Sequence, residues 1–330
     1  MELWHDRGDI PQGLSSVATI GIFDGLHVGH RRVLSRLVEC ARERSCAAVA
    51  VTFDPHPATL HAPQRGVELI LPLEDRLHAM AALGVDATWV VPYTWDLAAL
   101  SPEDFVRSYF VEALGAEAIV IGRDVRFGRD NAGDVETLRE LGARFGFSVE
   151  SVADVCDPER ERRYSSTWVR ELLSQGRVSE AAAILGRPYR LRGTVVRGFQ
   201  RGRELGFPTA NLDAADVGMV PADGVYAGWL VHSVPGTLAV EQLPAAISVG
   251  TNPQFDGVRR TVEAHVLGRS DLDLYDQSVA IDFVERLRPM LKMASVEELL
   301  DQMDEDLREC AAILGVPCTG RVAPGSVTAR

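Results

Sequence analysis

A chain of 330 residues, 46% of them hydrophobic and 25% charged, has material for a sizeable core and is long enough for two ordinary domains. Its formal charge of −13 opposes non-specific nucleic-acid binding, which needs a surplus of Lys and Arg on some surface, and leaves small anionic substrates to local arginine clusters. No apolar run approaches the roughly 18 residues of a membrane helix, neither end carries a leader or lipidation signal, and the five cysteines (Cys40, Cys46, Cys156, Cys310, Cys318) lack the close pairs of a zinc site. These features predict reduced structural thiols and a cytoplasmic protein without membrane or nucleic-acid partners.

In chain order, the apolar run Val17 to Ile22, a helix from about Val33 to Arg44 and the run Ala47 to Phe53 form a βαβ unit. The alternation continues with a helix at Glu74 to Leu83, a strand at Ala87 to Val91, a helix at Pro102 to Leu114, a strand at Ala118 to Ile121, a helix at Val135 to Phe145 and a short strand near Val149. Strands joined by crossover helices predict an α/β, Rossmann-like parallel sheet, covered on both faces, with ligands at the strand C-termini. Two more helices, Thr167 to Gln175 and Val178 to Leu185, precede a break at Gly186-Arg-Pro-Tyr-Arg190. From Leu191 to about Phe283 short Val- and Thr-rich segments alternate with Gly, Pro, Asn and Asp, as in a small antiparallel β-barrel. A helix at Val296 to Leu314 is expected to pack on the barrel. The expected division is residues 1–186, residues 187–316 and a flexible tail at 317–330.

Gly21, Gly25 and Gly29 lie between a strand and a helix, where backbone N–H groups and the positive helix end can receive a phosphate. His27 and His30, three residues apart at the helix start, can both donate to charge developing there. Taken alone the segment also fits a capped turn with two surface histidines, and Asp24 serves either the turn or a cation. The next strand ends in Thr52-Phe-Asp-Pro-His-Pro57, whose prolines stiffen a loop at the same sheet edge. Gly122-Arg-Asp-Val-Arg-Phe-Gly128 ends another strand, and Ser165-Ser-Thr-Trp-Val-Arg170 opens a later helix, where Ser and Thr are ordinary caps but Arg170 is less easily explained.

In the second half, Gly198-Phe-Gln-Arg-Gly-Arg-Glu-Leu-Gly-Phe-Pro-Thr-Ala-Asn-Leu212 is a glycine- and arginine-bearing loop able to cover phosphates, or a plain surface hairpin. Thr209 and Asn211, two apart on an extended segment, offer neutral oxygens on one side to a Mg²⁺ that keeps some waters. Gly224-Val-Tyr-Ala-Gly228, Val249-Gly-Thr-Asn-Pro-Gln-Phe255 and Thr261-Val-Glu-Ala-His265 follow.

From about residue 15 to about 310 these segments, in this order, resemble the prokaryotic bifunctional riboflavin kinase/FAD synthetase family, whose first module belongs to the nucleotidyltransferases with a His-x-x-His signature. The resemblance implies a nucleotidyltransferase-type Rossmann-like domain followed by a riboflavin-kinase-type barrel. It implies riboflavin, FMN, FAD and ATP as ligands, with Mg²⁺ accompanying ATP. It further implies that FMN attacks the α-phosphate of ATP with pyrophosphate leaving and no covalent enzyme intermediate. Carried over, His27 and His30 are catalytic, while Gly21, Phe23, Gly25, Gly29, Asp124, Ser166, Thr167 and Arg170 receive the ATP of adenylyl transfer. Asp54, Pro55 and Pro57 line its flavin side. In the kinase module Glu263 would be the general base, Thr209 and Asn211 the Mg²⁺ ligands, Gly202 and Arg203 phosphate-binding, and Phe207 and Asn252 flavin-binding. The sequence departs from the family pattern at Val125, Trp168 and Gln254. The catalytic groups whose loss would mark a non-catalytic sensor are all present. The oligomeric state, monomer or weak oligomer, is not readable.

Overall fold

The computed structural model describes residues 1–197, 206–213, 218–234, 237, 239–251 and 260–321. The chain divides into two compact units, Met1–Ser166 and Thr167–Arg330.

The first unit is built on a six-stranded sheet of β1 (Glu2–Trp4), β2 (Ser16–Ile20), β3 (Ala47–Asp54), β4 (Ala87–Pro92), β5 (Ala116–Gly122) and β6 (Ser148–Val152), paired in the order β1-β4-β3-β2-β5-β6. Every pairing is parallel. Alternate residues of β3 explain why the sheet needs cover on both sides. Val49, Val51 and Phe53 join Trp89, Phe105, Phe110 and Leu138 on one face, while Ala48 and Ala50 join Leu34, Leu37 and Met80 on the other. Each large side chain so buried contributes about 1.5–3 kcal/mol. The short edge strand β1 was not anticipated, since three residues carry no readable period.

Helix α1 (Val28–Arg44) buries Val33, Leu34, Leu37, Cys40 and Ala41, a stripe at helical spacing. It starts five residues before the expected Val33. Residues 28–32 show no apolar period, and what starts the helix is a cap, the His27 side chain accepting the His30 N–H. The short α2 (Pro57–His61), then α3 (Leu73–Ala82) and the short α4 (Trp95–Ala98), follow in chain order. The crossover expected at Pro102 to Leu114 is α5 (Pro102–Phe105) running into a π-helical stretch, Val106–Ala113. α6 (Val135–Phe145) is capped by Asp134.

The strand order gives this sheet its functional edge. From β2 the chain moves one way to β3 and β4, then returns to the other flank of β2 with β5 and β6. The connections leaving β2 and β5 therefore diverge, and the strand C-termini at such a switch point are the usual ligand position in sheets of this kind.

In the second unit α7 (Ser166–Ser174, beginning on the last residue of the first unit) and α8 (Val178–Leu185) precede a closed six-stranded barrel. Its strands are β7 (Tyr189–Val196), β8 (Ala210–Leu212), β9 (Gly224–Ser233), β10 (Val240–Thr251), β11 (Arg260–Val266) and β12 (Ser278–Arg288), all pairings antiparallel. β9 passes so close to β12 that a Cβ on Gly228 would stand 2.1 Å from the Asp282 carbonyl oxygen. The C-terminal helix α9 (Val296–Leu314) packs Leu307, Cys310 and Ala311 against Phe207, Ala227 and Leu267 of the barrel. A two-bond ion pair, Arg288 to Asp306 at 2.8 and 2.7 Å, fastens it to β12. The parallel sheet, the antiparallel barrel and the terminal helix are thus the expected architecture. The part of the expected tail from residue 322 onward lies outside the described residues.

Candidate functional sites

The β2–α1 turn is strained in a way its sequence permits. Phe23 and Leu26 have φ of 53° and 40°, and Gly25 has φ of 78° with Ile70 3.1 Å from where a Cβ would be. Gly25 is needed there because a side chain would meet both a costly backbone conformation and a packed neighbour. Gly21 and Gly29 serve close approach. A Cβ would lie 3.0 Å from the Phe23 ring at the first and 3.1 Å from the His27 ring at the second.

The two histidine rings stack at 3.7 Å, 22° apart, and Phe23 meets His30 edge-on at 5.4 Å. Because His27 Nδ1 accepts the His30 N–H, a neutral His27 carries its proton on Nε2. Burial pushes the His27 pKa down to about 4, with Asp124 opposing and Arg163 reinforcing the shift. His30 is held well below its ordinary value by burial, then by His27 and Arg76. Its Nδ1 is buried without a hydrogen-bond partner among the described residues. The pair is therefore neutral at physiological pH and can offer N–H groups to an anion without bringing buried charge. Asp24 is explained by the turn: its two carboxylate oxygens accept the Ile70 and Leu71 N–H groups at 3.1 and 2.9 Å.

Of the other predicted residues, Ser166 and Asp124 act on this turn. Ser166, at the start of α7, donates to the Asp24 carbonyl at 2.8 Å. Thr167 and Arg170 follow on the same helix, the first exposed and the second half-buried. Asp124, after β5, pairs with Arg163 at 2.5 Å, and both act on the His27 charge. Asp54 ends β3 and, like Pro55, is exposed; a cis bond joins the two. Pro57 opens α2.

Three features of this region escaped the sequence reading. Arg163 sits in a charged stretch that reads as solvated surface. Arg76 lies in an amphipathic helix that reads as plain cover, yet it is 1% exposed and donates to the Ile22 carbonyl at 2.5 Å. An aromatic ledge is formed by His61, Tyr93 and Trp95. The His61 ring meets both others edge-on, and its Nε2 is 2.9 Å from the Tyr93 hydroxyl. Trp95, 61% exposed, is an apolar surface that nothing in the described fold covers.

The barrel holds the second constellation through strand register. β8 and β11 pair antiparallel with Asn211 directly opposite Glu263. Thr209, just before β8, donates its hydroxyl to Glu263 Oε2 at 3.2 Å and accepts from Asn211 Nδ2 at 3.3 Å. Burial raises the Glu263 carboxyl above its usual range, and the Thr209 bond partly offsets this. His265, two residues on, stands 2.8 Å from the Pro208 carbonyl oxygen and edge-on to Phe207 at 5.4 Å, steadying the segment that carries Thr209. Phe207 itself is buried in the barrel–α9 core. Gly202, Arg203, Asn252 and Gln254 lie outside the described residues.

Comparison with known proteins gives the two units their kinship. The family model for FAD synthetase matches residues 10–168, and that for riboflavin kinase residues 185–314. The bifunctional riboflavin kinase/FMN adenylyltransferase of Escherichia coli K12 is 33% identical over 302 residues, 92% of this chain and 93% of that one. The chain belongs to the bifunctional riboflavin kinase/FMN adenylyltransferase family.

The Bacillus subtilis 168 member of this bifunctional family is 31% identical over 300 residues, covering 89% of this chain and 91% of its own. A crystal structure described as a macrolide-efflux protein from Streptococcus pneumoniae is 31% identical, with a TM-score of 0.81 over 92% of this chain and 96% of that one. As a bifunctional riboflavin kinase/FMN adenylyltransferase, the chain is a transferase of flavin-nucleotide biosynthesis. It carries the FAD synthetase domain on its parallel sheet and the riboflavin kinase domain on its barrel. Two departures from the family pattern are packing residues: Val125 rests against the core of the sheet and Trp168 is 3% exposed. Among the described residues no helix is long and apolar enough to cross a membrane.

Proposed function

We propose that the barrel phosphorylates riboflavin with ATP to give FMN and ADP, and that the sheet unit joins FMN to a second ATP to give FAD and pyrophosphate. In the first reaction the Glu263 carboxylate takes the proton of the ribityl 5′-hydroxyl as its oxygen attacks the γ-phosphorus, and ADP leaves. Thr209 and Asn211 would hold Mg²⁺. One carboxylate flanked by two neutral side chains suits an ion that keeps several waters and shares the ATP phosphates. When bound, the ion would neutralise part of the charge on the ATP phosphates. The family resemblance adds Gly202 and Arg203 for the phosphates and Asn252 for the flavin, all outside the described residues, and Phe207, which supports the flavin side from within the buried core.

In the second reaction a phosphate oxygen of FMN attacks the α-phosphorus of ATP and pyrophosphate departs. His27 and His30 donate to the phosphate oxygens as neutral imidazoles. The Gly21–Phe23–Gly25–Gly29 backbone and the start of α1 receive the anion. By the family resemblance Ser166, Thr167 and Arg170 bind the triphosphate and Asp124 the nucleotide. The Asp54–Pro55–Pro57 loop and the aromatic ledge offer the isoalloxazine a wall of matching chemistry. The functional division at residues 1–186 and 187–316 assigns α7 to adenylyl transfer through Ser166. Five cysteines without disulfides support work in the reducing cytoplasm.

The observation that carries this reading is the Thr209–Glu263 contact across paired strands in one unit, and the stacked neutral histidines at the switch point in the other. A chromatographic time course from riboflavin with excess MgATP tests it. FMN should rise first and FAD should follow, and a folded protein producing neither overturns the reading. Supplying FMN directly isolates the second step.

A further inference from the structure

Arg76 is a fully buried cation with few partners. It projects from α3 and is 1% exposed. Nη1 donates to the Ile22 carbonyl at 2.5 Å, and Nε is buried with no acceptor among the described residues. Burial works against its charge, and among the described residues Asp24 and Asp54 are the carboxylates that favour it. Guanidinium groups are rarely buried without several acceptors, and a core apolar residue would fill the same space at lower cost. Packing alone therefore does not account for an arginine here.

What the arginine does hold is the first peptide unit of the histidine turn. The Ile22 carbonyl accepts from Arg76 and also from the Thr52 hydroxyl, at 3.2 Å. In a planar trans peptide the C=O and the following N–H point in opposite directions. Pinning the Ile22 oxygen from below therefore turns the Phe23 N–H the other way and launches the left-handed run at Phe23, Gly25 and Leu26. The same guanidinium is one of the charges that keep His30 neutral, beside the stacked His27.

We propose that Arg76 is a positioning residue for adenylyl transfer, holding the Ile22 carbonyl jointly with Thr52 so that the turn presents its N–H groups and histidines to the phosphates of ATP. This rests on the reading of that turn as the ATP site. The two failures are distinguishable. If the turn is not the site, His30→Ala keeps FAD formation. If the turn is the site but Arg76 does not position it, His30→Ala loses FAD formation and Arg76→Met keeps it.

The test uses the full-length chain, with FMN and MgATP as substrates, riboflavin phosphorylation as the internal control and thermal unfolding as the check on folding. Arg76→Met should lower kcat/KM for ATP in FAD formation about 100-fold, the scale of losing one aimed donor set. KM for FMN and the kinase rate should stay within about threefold. Arg76→Lys, which keeps the charge, should recover about tenfold of that loss. Thr52→Val should cost about threefold to tenfold and add nothing to Arg76→Met, because both act through one carbonyl.

A folded Arg76→Met protein within about threefold of wild type for ATP overturns the proposal. Equal damage to ATP and FMN, or a lysine variant no better than methionine, does the same. Should Arg76→Met not fold, Thr52→Val decides: an ATP-specific loss supports the proposal, and an unchanged kcat/KM for ATP overturns it.

Discussion

The two proposed sites are assembled by different physical means. At the histidine turn the glycines and both histidines come from ten consecutive residues, bent by positive φ angles and capped by their own side chain, and distant groups such as Arg76 and Thr52 only brace that turn. In the barrel, Thr209 and Glu263 are 54 residues apart and meet only because β8 and β11 pair in one register. Electrostatics differ in the same direction. Burial makes the histidines neutral donors that need not change protonation. Burial of Glu263 instead raises the carboxyl of the proposed base, a group whose role is to gain and lose a proton. A site that receives charge can be preorganised locally, whereas a site that moves a proton needs a partner brought from elsewhere in the fold.

The comparison can be broken most forcefully at Glu263. Glu263→Gln keeps shape and removes the base, so riboflavin phosphorylation should fall by about 10³-fold or more, while FAD formation from supplied FMN is untouched. Loss of both activities in folded protein would mean that the sites are not independent. His30→Ala should do the converse, lowering FAD formation about 10²- to 10³-fold and sparing the kinase. Each substitution is measured in the two assays on one preparation.

Gly25→Ala tests how far the first site depends on local backbone. With φ of 78° and Ile70 at 3.1 Å, it should destabilise the sheet unit by about 1–3 kcal/mol and weaken FAD formation. The unfolding of the barrel should stay in place, as differential scanning calorimetry would reveal.

The smallest effect is on pH dependence. His27 refuses a proton until about pH 4 when folded, whereas an unfolded histidine takes one near about 6.5. Between those values the unfolded chain binds more protons, so stability of the sheet unit should fall as pH falls through this window. His27→Gln should flatten that slope. FAD formation should show no imidazole limb between about pH 5 and 8, and a limb near the ordinary histidine value would contradict neutral, buried rings.

Much of this architecture was legible beforehand because it is periodic. Runs such as Ala47 to Phe53, apolar on both faces, announce a covered parallel strand, and the helix stripe from Val33 to Ala41 announces its cover. The α1 start was misread because a cap is a hydrogen bond rather than a pattern, and a histidine is an unusual one. Arg163 is not distinguishable beforehand because nothing in Asp-Pro-Glu-Arg-Glu-Arg-Arg separates it, half-buried and paired with Asp124, from the exposed arginines beside it. His61 ends α2, while Tyr93 lies just before α4 and Trp95 opens it, so their ledge has no signature in either segment.

Glycines, histidines and apolar periods act over a few residues, so the two kinds of fold, their order and the chemistry-bearing segments follow from local signals in the chain. What those segments meet follows from tertiary packing. Whether Asp24 serves the turn or a cation, what Arg76 holds, and which residue faces Glu263 depend on strand order, register and burial. Those quantities arise when segments distant in the chain exclude water together, and no local stretch of sequence encodes them.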